Sequence, residues 1–197
     1  GIAYGTVFHL KQTGASLAYK ASSESITTYA GTMSVPEFLT WYLRLTEIPR
    51  IRVPKDDTHL REARSKLKGF RFIRQEPFEC IISYVLSVQA HMNLTKRRIN
   101  FLARTFGTPV QFANERYWTF PEPGALASKR SAFFRKHRFG WRSERVPLSA
   151  EYVASCVGKE DEGRSLGQWR DVVDGLKAIS GSGVGLKVGK CIDLFSM

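Results

Sequence analysis

Lys187 and Cys191 stand four residues apart, directly after the run Gly181-Ser182-Gly183-Val184-Gly185-Leu186. Three glycines in five positions let the backbone take positive φ and approach a ligand closely. Free N–H groups at the opening of the next helix make an anion site, suited to a phosphate. The run lies between a helix predicted from Leu166 to Ile179 and an apolar stretch, Val188 to Met197, that also reads as a helix. It therefore reads as a helix–hairpin–helix, an element that holds a DNA backbone without reading sequence. A plain Gly-rich turn between two helices has the same pattern. Lys187, in the first helical turn, faces the positive end of the helix dipole, which disfavours its charge. Partial burial would lower its pKa further. Such an amine is a nucleophile suited to Schiff-base chemistry, and Cys191 shares its helical face. The blander alternative is a surface lysine with a buried cysteine serving as a small hydrophobe.

The charge distribution points to the same class of partner. The chain has 197 residues, 30 Lys+Arg against 18 Asp+Glu and a net charge of +12. Residues 1–60 carry six basic and five acidic groups; residues 61–145 carry eighteen and six; residues 146–197 carry six and seven. The whole excess lies in the middle, which looks more like a binding face for a polyanion than general solubilisation, although solvated helix faces could carry it too.

Composition sets further bounds. A hydrophobic fraction of 43% excludes a disordered tail or a fibrous repeat. The longest apolar run, Cys80 to Leu86, is far too short to span a bilayer, and no signal peptide is visible at the start, so an intracellular location is expected, in the nucleoid or nucleus or in the cytoplasm. Cys80, Cys156 and Cys191 are too few and too scattered for a disulfide framework, an iron–sulfur cluster or a four-cysteine zinc site. Neither a metal nor a cofactor is expected.

The positioning elements follow from periodicity. Tyr4–Lys11 and Ser16–Ala21 alternate as two strands joined through Gln12-Thr13-Gly14. Ser34-Val35-Pro36-Glu37 has the spacing of a capping box ahead of Phe38, Trp41, Tyr42 and Leu45. Asp57 can cap a helix that stops at Gly69. Pro77 opens a helix apolar nearly all round, which should be the core helix. Asn93 is expected to cap the next one, with Lys96, Arg97, Arg98 and Arg104 outward and Gly107 at its end. A loop at Phe120–Gly124 leads into a short basic helix reaching Arg138, then helices from about Ser149 to Val157 and from Leu166. The expectation is a small β part followed by five to seven helices.

Taken together, these motifs resemble one family. Gly183-Val184-Gly185-Leu186-Lys187-Val188 with Cys191 is similar to the hairpin and catalytic lysine of the helix–hairpin–helix DNA glycosylases, in particular the 8-oxoguanine branch. Gly69-Phe70-Arg71-Phe72-Ile73-Arg74-Gln75-Glu76-Pro77-Phe78-Glu79-Cys80 resembles that branch's approach to its core helix. Phe139-Gly140-Trp141-Arg142 resembles its Gly-aromatic-Arg wedge. Leu86-Ser87-Val88-Gln89-Ala90 is similar to a segment of endonuclease-III-like relatives whose Gln fills the gap left by a flipped base; the 8-oxoguanine branch usually carries Asn there.

The resemblance implies a mostly α fold, α+β overall, with a partial N-terminal antiparallel β region. Its boundaries would be residues 1–66 for a partial β domain with helices and 67–197 for the helical glycosylase domain. It implies a DNA glycosylase/AP lyase that removes 8-oxoguanine from double-stranded DNA and acts as a monomer. Lys187 would attack the sugar, Cys191 would pack on the flipped base, and Gln89, Trp141 and Arg142 would fill the gap. Gly183, Val184 and Gly185 would hold the backbone. Two alternatives stay open: a glycosylase for alkylated or oxidised pyrimidine bases, and a non-catalytic DNA-binding module. The family's second catalytic group is an Asp beyond the helix that Lys187 opens, and it has no counterpart here. Asp193 is at the wrong helical angle, and Asp171 and Asp174 match no family position. The expectation is a chain truncated at both ends that leaves apolar helix surface uncovered. Gly181-Ser182 stands where the family usually has Leu-Pro, a change expected to loosen the hairpin.

Overall fold

The computed structural model describes residues 2–3, 6–13, 16–21, 25–28, 31–47, 52–112, 114–157 and 166–196. Side chains are described from residue 32 onward. Strands β1 (Ile2–Ala3), β2 (Thr6–Thr13) and β3 (Ser16–Ala21) form an antiparallel sheet in that order, with Leu10 opposite Tyr19. The expected β2–β3 hairpin is present, but Gln12 and Thr13, expected in its turn, continue β2 and pair with Leu17 and Ser16; Gly14 lies outside the described residues. A second antiparallel pair, β4 (Ser25–Thr28) and β5 (Gly31–Ser34), runs directly into α1 (Val35–Tyr42). The box at that junction forms as a carboxylate clamp: Ser34 N and Oγ both donate to Glu37 Oε2, at 2.9 and 2.7 Å. Those two hydrogen bonds hold the Glu37 carboxyl below its ordinary range.

Eight more helices follow among the described residues: α2 (Thr58–Lys66), α3 (Pro77–Ser87), α4 (Met92–Phe106), α5 (Pro123–Ala127), α6 (Ser131–Lys136), α7 (Arg142–Cys156), α8 (Leu166–Ala178) and α9 (Leu186–Ser196). That makes nine rather than five to seven, partly because the expected basic helix after Gly124 is two short ones. Asp57 caps α2 as its position predicts, accepting from Leu60 N at 2.8 Å. His91, not Asn93, caps α4: its Nδ1 accepts from Asn93 N. The largest departure is α7, which starts seven residues before Ser149 and carries Pro147 inside it. A proline in a helix removes a hydrogen bond and costs about 3 kcal/mol. Burial of Val146, Ala150 and Val153 along the same helix offsets that cost.

α3 is the core helix. Phe78, Cys80, Ile81, Ile82, Val85 and Leu86 are all buried, against α4, α7 and α9. They join one apolar cluster with Leu102, Phe134, Phe139, Val173, Leu176, Val184 and Ile192. Val35, Phe38 and Leu39 of α1 form a second, separate cluster. The elements are tied where α9 ends: Gln75 N donates to Phe195 O at 2.7 Å and Arg44 Nη2 to Leu194 O at 3.2 Å. No helix among the described residues is long and apolar enough to cross a membrane.

An antiparallel hairpin, β6 (Pro109–Phe112) with β7 (Glu115–Trp118), packs back on the end of α4. It sets the constraint on Gly107. A Cβ there would lie 2.0 Å from Thr119 O and 2.6 Å from Ala103 O, both backbone atoms that cannot swing away. Gly107→Ala is therefore expected to destabilise the fold by about 2 kcal/mol through overpacking, read as a lower urea midpoint at an unchanged slope.

Candidate active site and nucleic-acid interface

The helix–hairpin–helix is formed by α8, the turn 179–185 and α9. Gly181 and Gly183 take φ of 86° and 82°, the left-handed region that a tight reversal needs. Ser182 does not loosen this turn. Its Oγ donates to Leu176 O at 2.7 Å and accepts from Val184 N at 3.1 Å, while its carbonyl accepts from Ser149 Oγ at 2.9 Å. The turn is thereby stitched to both α8 and α7, and a buried hydroxyl does the work that Leu-Pro rigidity would otherwise do. Val184 is buried and its side chain pins the hairpin to the core. Gly185 is exposed, with open space where a Cβ would be. Among the described residues, the N–H groups of Gly183 and Gly185 have no acceptor, which leaves them for an anion.

Lys187 sits in the first turn of α9 as expected. Its side chain is exposed, so burial does not act on its charge. Cys191, one turn on, is half-buried. The two share an open hollow of about 390 Å³ with Leu186, Lys190 and Leu194. Leu186 and Leu194 are 70% and 47% exposed, so this face of α9 carries uncovered apolar surface. Asp193 is directed elsewhere: its charge helps raise the pKa of Lys177, behind the Lys177–Asp174 ion pair of 2.7 Å. No cluster of three or more His, Cys, Asp or Glu that could hold a metal occurs among the described residues.

The second group of expected site residues converges where α3 ends and α7 begins. Gln89 lies in the turn after α3 with φ of 48°, a conformation that costs a non-glycine residue roughly 1–2 kcal/mol. Its side chain is exposed. Trp141 stands 42% exposed at the mouth of α7, after a turn in which Arg138 and Gly140 also have positive φ. That turn is rigid, because Phe139 is buried against Phe134 and Phe101. The three expected gap-filling residues thus lie at one turn-to-turn junction, at different depths. Arg142 is only 4% exposed and donates to Val88 O. It locks the Gln89 turn from beneath, whereas Trp141 and Gln89 present themselves to solvent.

Sequence reasoning placed Arg98 on the outer face of α4, and this is wrong. Arg98 is buried, donates to Arg138 O at 3.0 Å and packs over the Phe139 ring. It holds the Arg138–Phe139 turn that precedes Trp141. Arg145 was missed as a site residue; only its closeness to Trp141 in the sequence could have flagged it. Burial, then the neighbouring charges of Arg98 and Arg145, push the Arg142 guanidinium below its ordinary range. Glu144, the acid within this group, is turned outward to Arg135 at 2.9 Å. The junction is therefore a positive patch with no carboxylate paired to Arg98, Arg142 or Arg145 among the described residues.

The architecture is that of the helix–hairpin–helix DNA glycosylases. Within that class, it is similar in sequence to N-glycosylase/DNA lyases and in structure to 8-oxoguanine glycosylase/lyases. No family model matches the chain. It is 25% identical over 144 residues to the N-glycosylase/DNA lyase OGG1 of Arabidopsis thaliana, a match covering 73% of this chain and 40% of that one. Among solved structures, MBOgg1 in complex with a low-affinity DNA ligand superposes with a TM-score of 0.72 at 26% identity, over 100% of this chain and 65% of that one. The apo 8-oxoguanine glycosylase/lyase of Clostridium acetobutylicum gives 0.73 at 21%, over 100% and 66%. The chain thus spans half or less of the curated relatives it matches.

Proposed function

We propose that this chain forms the helical part of a bifunctional 8-oxoguanine DNA glycosylase/AP lyase. The observation that carries the reading is the hollow holding Lys187 and Cys191 immediately after a hairpin with open N–H groups. A duplex would lie with its backbone on Gly183 and Gly185 and with Trp141 and Gln89 at the lesion. The target base must leave the stack for its sugar to be reached. Deprotonated Lys187 Nζ then attacks C1′; the glycosidic bond breaks, and the base leaves with the bonding pair and takes up a proton. Ring opening gives an imine between Nζ and C1′. Loss of a C2′ proton then expels the 3′ phosphate by β-elimination. Cys191 and the exposed Leu194 would pack against the extruded base. The reading takes residues 67–197 as the glycosylase domain, residues 1–66 as part of a β domain, and the protein as a monomer working on cellular DNA.

Borohydride trapping is the test. A covalent adduct on an 8-oxoguanine duplex, absent from an undamaged one, supports the reading. An adduct only on a duplex with another damaged base moves the assignment to that lesion. Salt-sensitive duplex binding with no adduct, even on a preformed abasic site, overturns it in favour of a non-catalytic binding module.

A further inference from the structure

Two guanidinium groups stand over the Trp141 ring system. Arg142 Cζ lies 4.1 Å from the centre of its ring system and Arg145 Cζ 4.2 Å. Guanidinium groups stack on aromatic faces, and indole is the best of the aromatic acceptors. The two arginines are not equivalent. Arg142 is buried and fixed to the α3–α4 turn through Val88 O. Arg145 is half-buried and reaches the other way, to the hairpin. A Cβ placed on Gly183 would lie 3.0 Å from Arg145 Cδ and 3.3 Å from its Nη1. It would also lie 3.4 Å from Val85 Cγ1 of the core helix, so Arg145 packs in the angle between hairpin and core. Gly183 has φ of 82° and no side chain, and that absence is what admits the arginine.

Arg145 makes no ion pair or hydrogen bond among the described residues. Its neighbours Arg98 and Arg142 also keep donors without partners, at Arg98 Nε and Nη1 and at Arg142 Nε. Three cations are thus gathered with no acid to balance them. Mutual repulsion makes this arrangement costly in the free protein, and a polyanion on the surface relieves it.

We infer that Arg145 is the positioning residue that couples the hairpin to the wedge: its stem rests on Gly183, its guanidinium clamps Trp141 against Arg142, and a bound DNA phosphate at the hairpin tightens both contacts. The inference builds on the glycosylase reading for its DNA half. The hairpin and the wedge are 42 residues apart in sequence (Trp141 to Gly183), and Arg145 is the one side chain shown touching both. Registering the backbone grip against the inserted ring sets where along the duplex the extrusion occurs. A displacement of about 1 Å at such a contact is enough to cost roughly a hundredfold in a positioned reaction.

The test uses the full chain with two variants. R145M keeps the aliphatic stem and loses the planar cation; R145K keeps the charge and loses the plane. In free protein, acrylamide quenching of Trp141 is obtained as the difference from Trp141→Phe in the same background. It should rise about twofold in both variants, because the stacked face is opened. With a duplex carrying an abasic-site analogue opposite 2-aminopurine, wild type should unstack the probe base. R145M should lose about tenfold in that signal at saturating protein, with affinity down only a few-fold. R145K should restore affinity but not unstacking. Equal Trp141 quenching in wild type and both variants overturns the clamp, whatever DNA does. Wild-type unstacking that survives in R145M and R145K overturns the coupling. If wild type neither binds nor unstacks the duplex, the glycosylase reading fails and the coupling to DNA falls with it. The quenching result in free protein then still decides whether Arg145 clamps Trp141.

Discussion

Lys187→Gln is expected to abolish borohydride trapping on both 8-oxoguanine and abasic duplexes and to lower strand cleavage at least about a thousandfold, with duplex affinity within a few-fold of wild type. Glutamine keeps most of the length of the side chain but has no lone-pair amine to form the imine. In the proposed reading the backbone grip is made by the Gly183 and Gly185 N–H groups, in a turn that Ser182 holds through Leu176 O, Val184 N and Ser149 Oγ. None of these involves Lys187. Affinity and chemistry should therefore separate. Lys190→Gln is the matched control, because Lys190 lines the same hollow one residue before Cys191. It should leave the adduct in place. Transfer of trapping to Lys190 would assign the nucleophile wrongly here, and that is read by peptide mapping of the adduct.

The parts of the site that were legible in the sequence are local ones. Gly181, Gly183, Lys187 and Cys191 lie within one turn and the helix it opens, so spacing alone defines the hollow. The core helix was legible for the same reason: Pro77 marks its start, and seven apolar residues follow within ten positions. What sequence could not show depends on partners far along the chain. Arg98 reads as an outward charge on α4 until Arg138 O, 40 residues away, takes its hydrogen bond. Arg142 reads as a wedge until Val88 O, 54 residues away, draws it inward. In both cases a carbonyl freed by a turn with irregular backbone supplies the acceptor, and charge patterning carries no record of it. Pro147 misled in the opposite sense. Its helix-breaking character is real, but the tertiary burial of Val146 and Ala150 outweighs it. The β6–β7 hairpin went unread because the sequence between Phe112 and Glu115 has no glycine of the kind that usually marks a tight hairpin turn.

The approach to α3 also holds an expected pH response. Glu76 caps α3, accepting from Phe78 N at 3.1 Å and Glu79 N at 2.6 Å, and Glu79 follows one turn later against the core. Burial pushes the Glu79 carboxyl up to about 8, with the Glu76 charge adding to it. Burial likewise raises Glu76 to about 7, against the two backbone hydrogen bonds and with a further push from Glu122. The sign follows directly. Below about pH 4.5 both groups are protonated in folded and unfolded chains, and neither affects stability. Between there and about pH 8 the folded protein retains protons that the unfolded chain has released, so stability falls as pH rises. The fall is complete once pH exceeds the folded values. Urea midpoints should therefore be higher at pH 5.5 than at pH 8.5, by contrast with proteins whose paired carboxylates are lost in acid. Glu79→Gln removes the larger contribution and one half of the like-charge repulsion with Glu76. It should stabilise the protein at pH 8.5 by about 3 kcal/mol, less than a rise to about 8 would give a fully buried carboxyl, because Glu79 is partly exposed. At pH 5.5, where Glu79 is already neutral in the folded state, the gain should be about 1–2 kcal/mol, since only the unfolded chain has ionised by then. A variant whose midpoint changes equally at both pH values would show that Glu79 is ionised throughout and that its burial costs nothing that titration can recover.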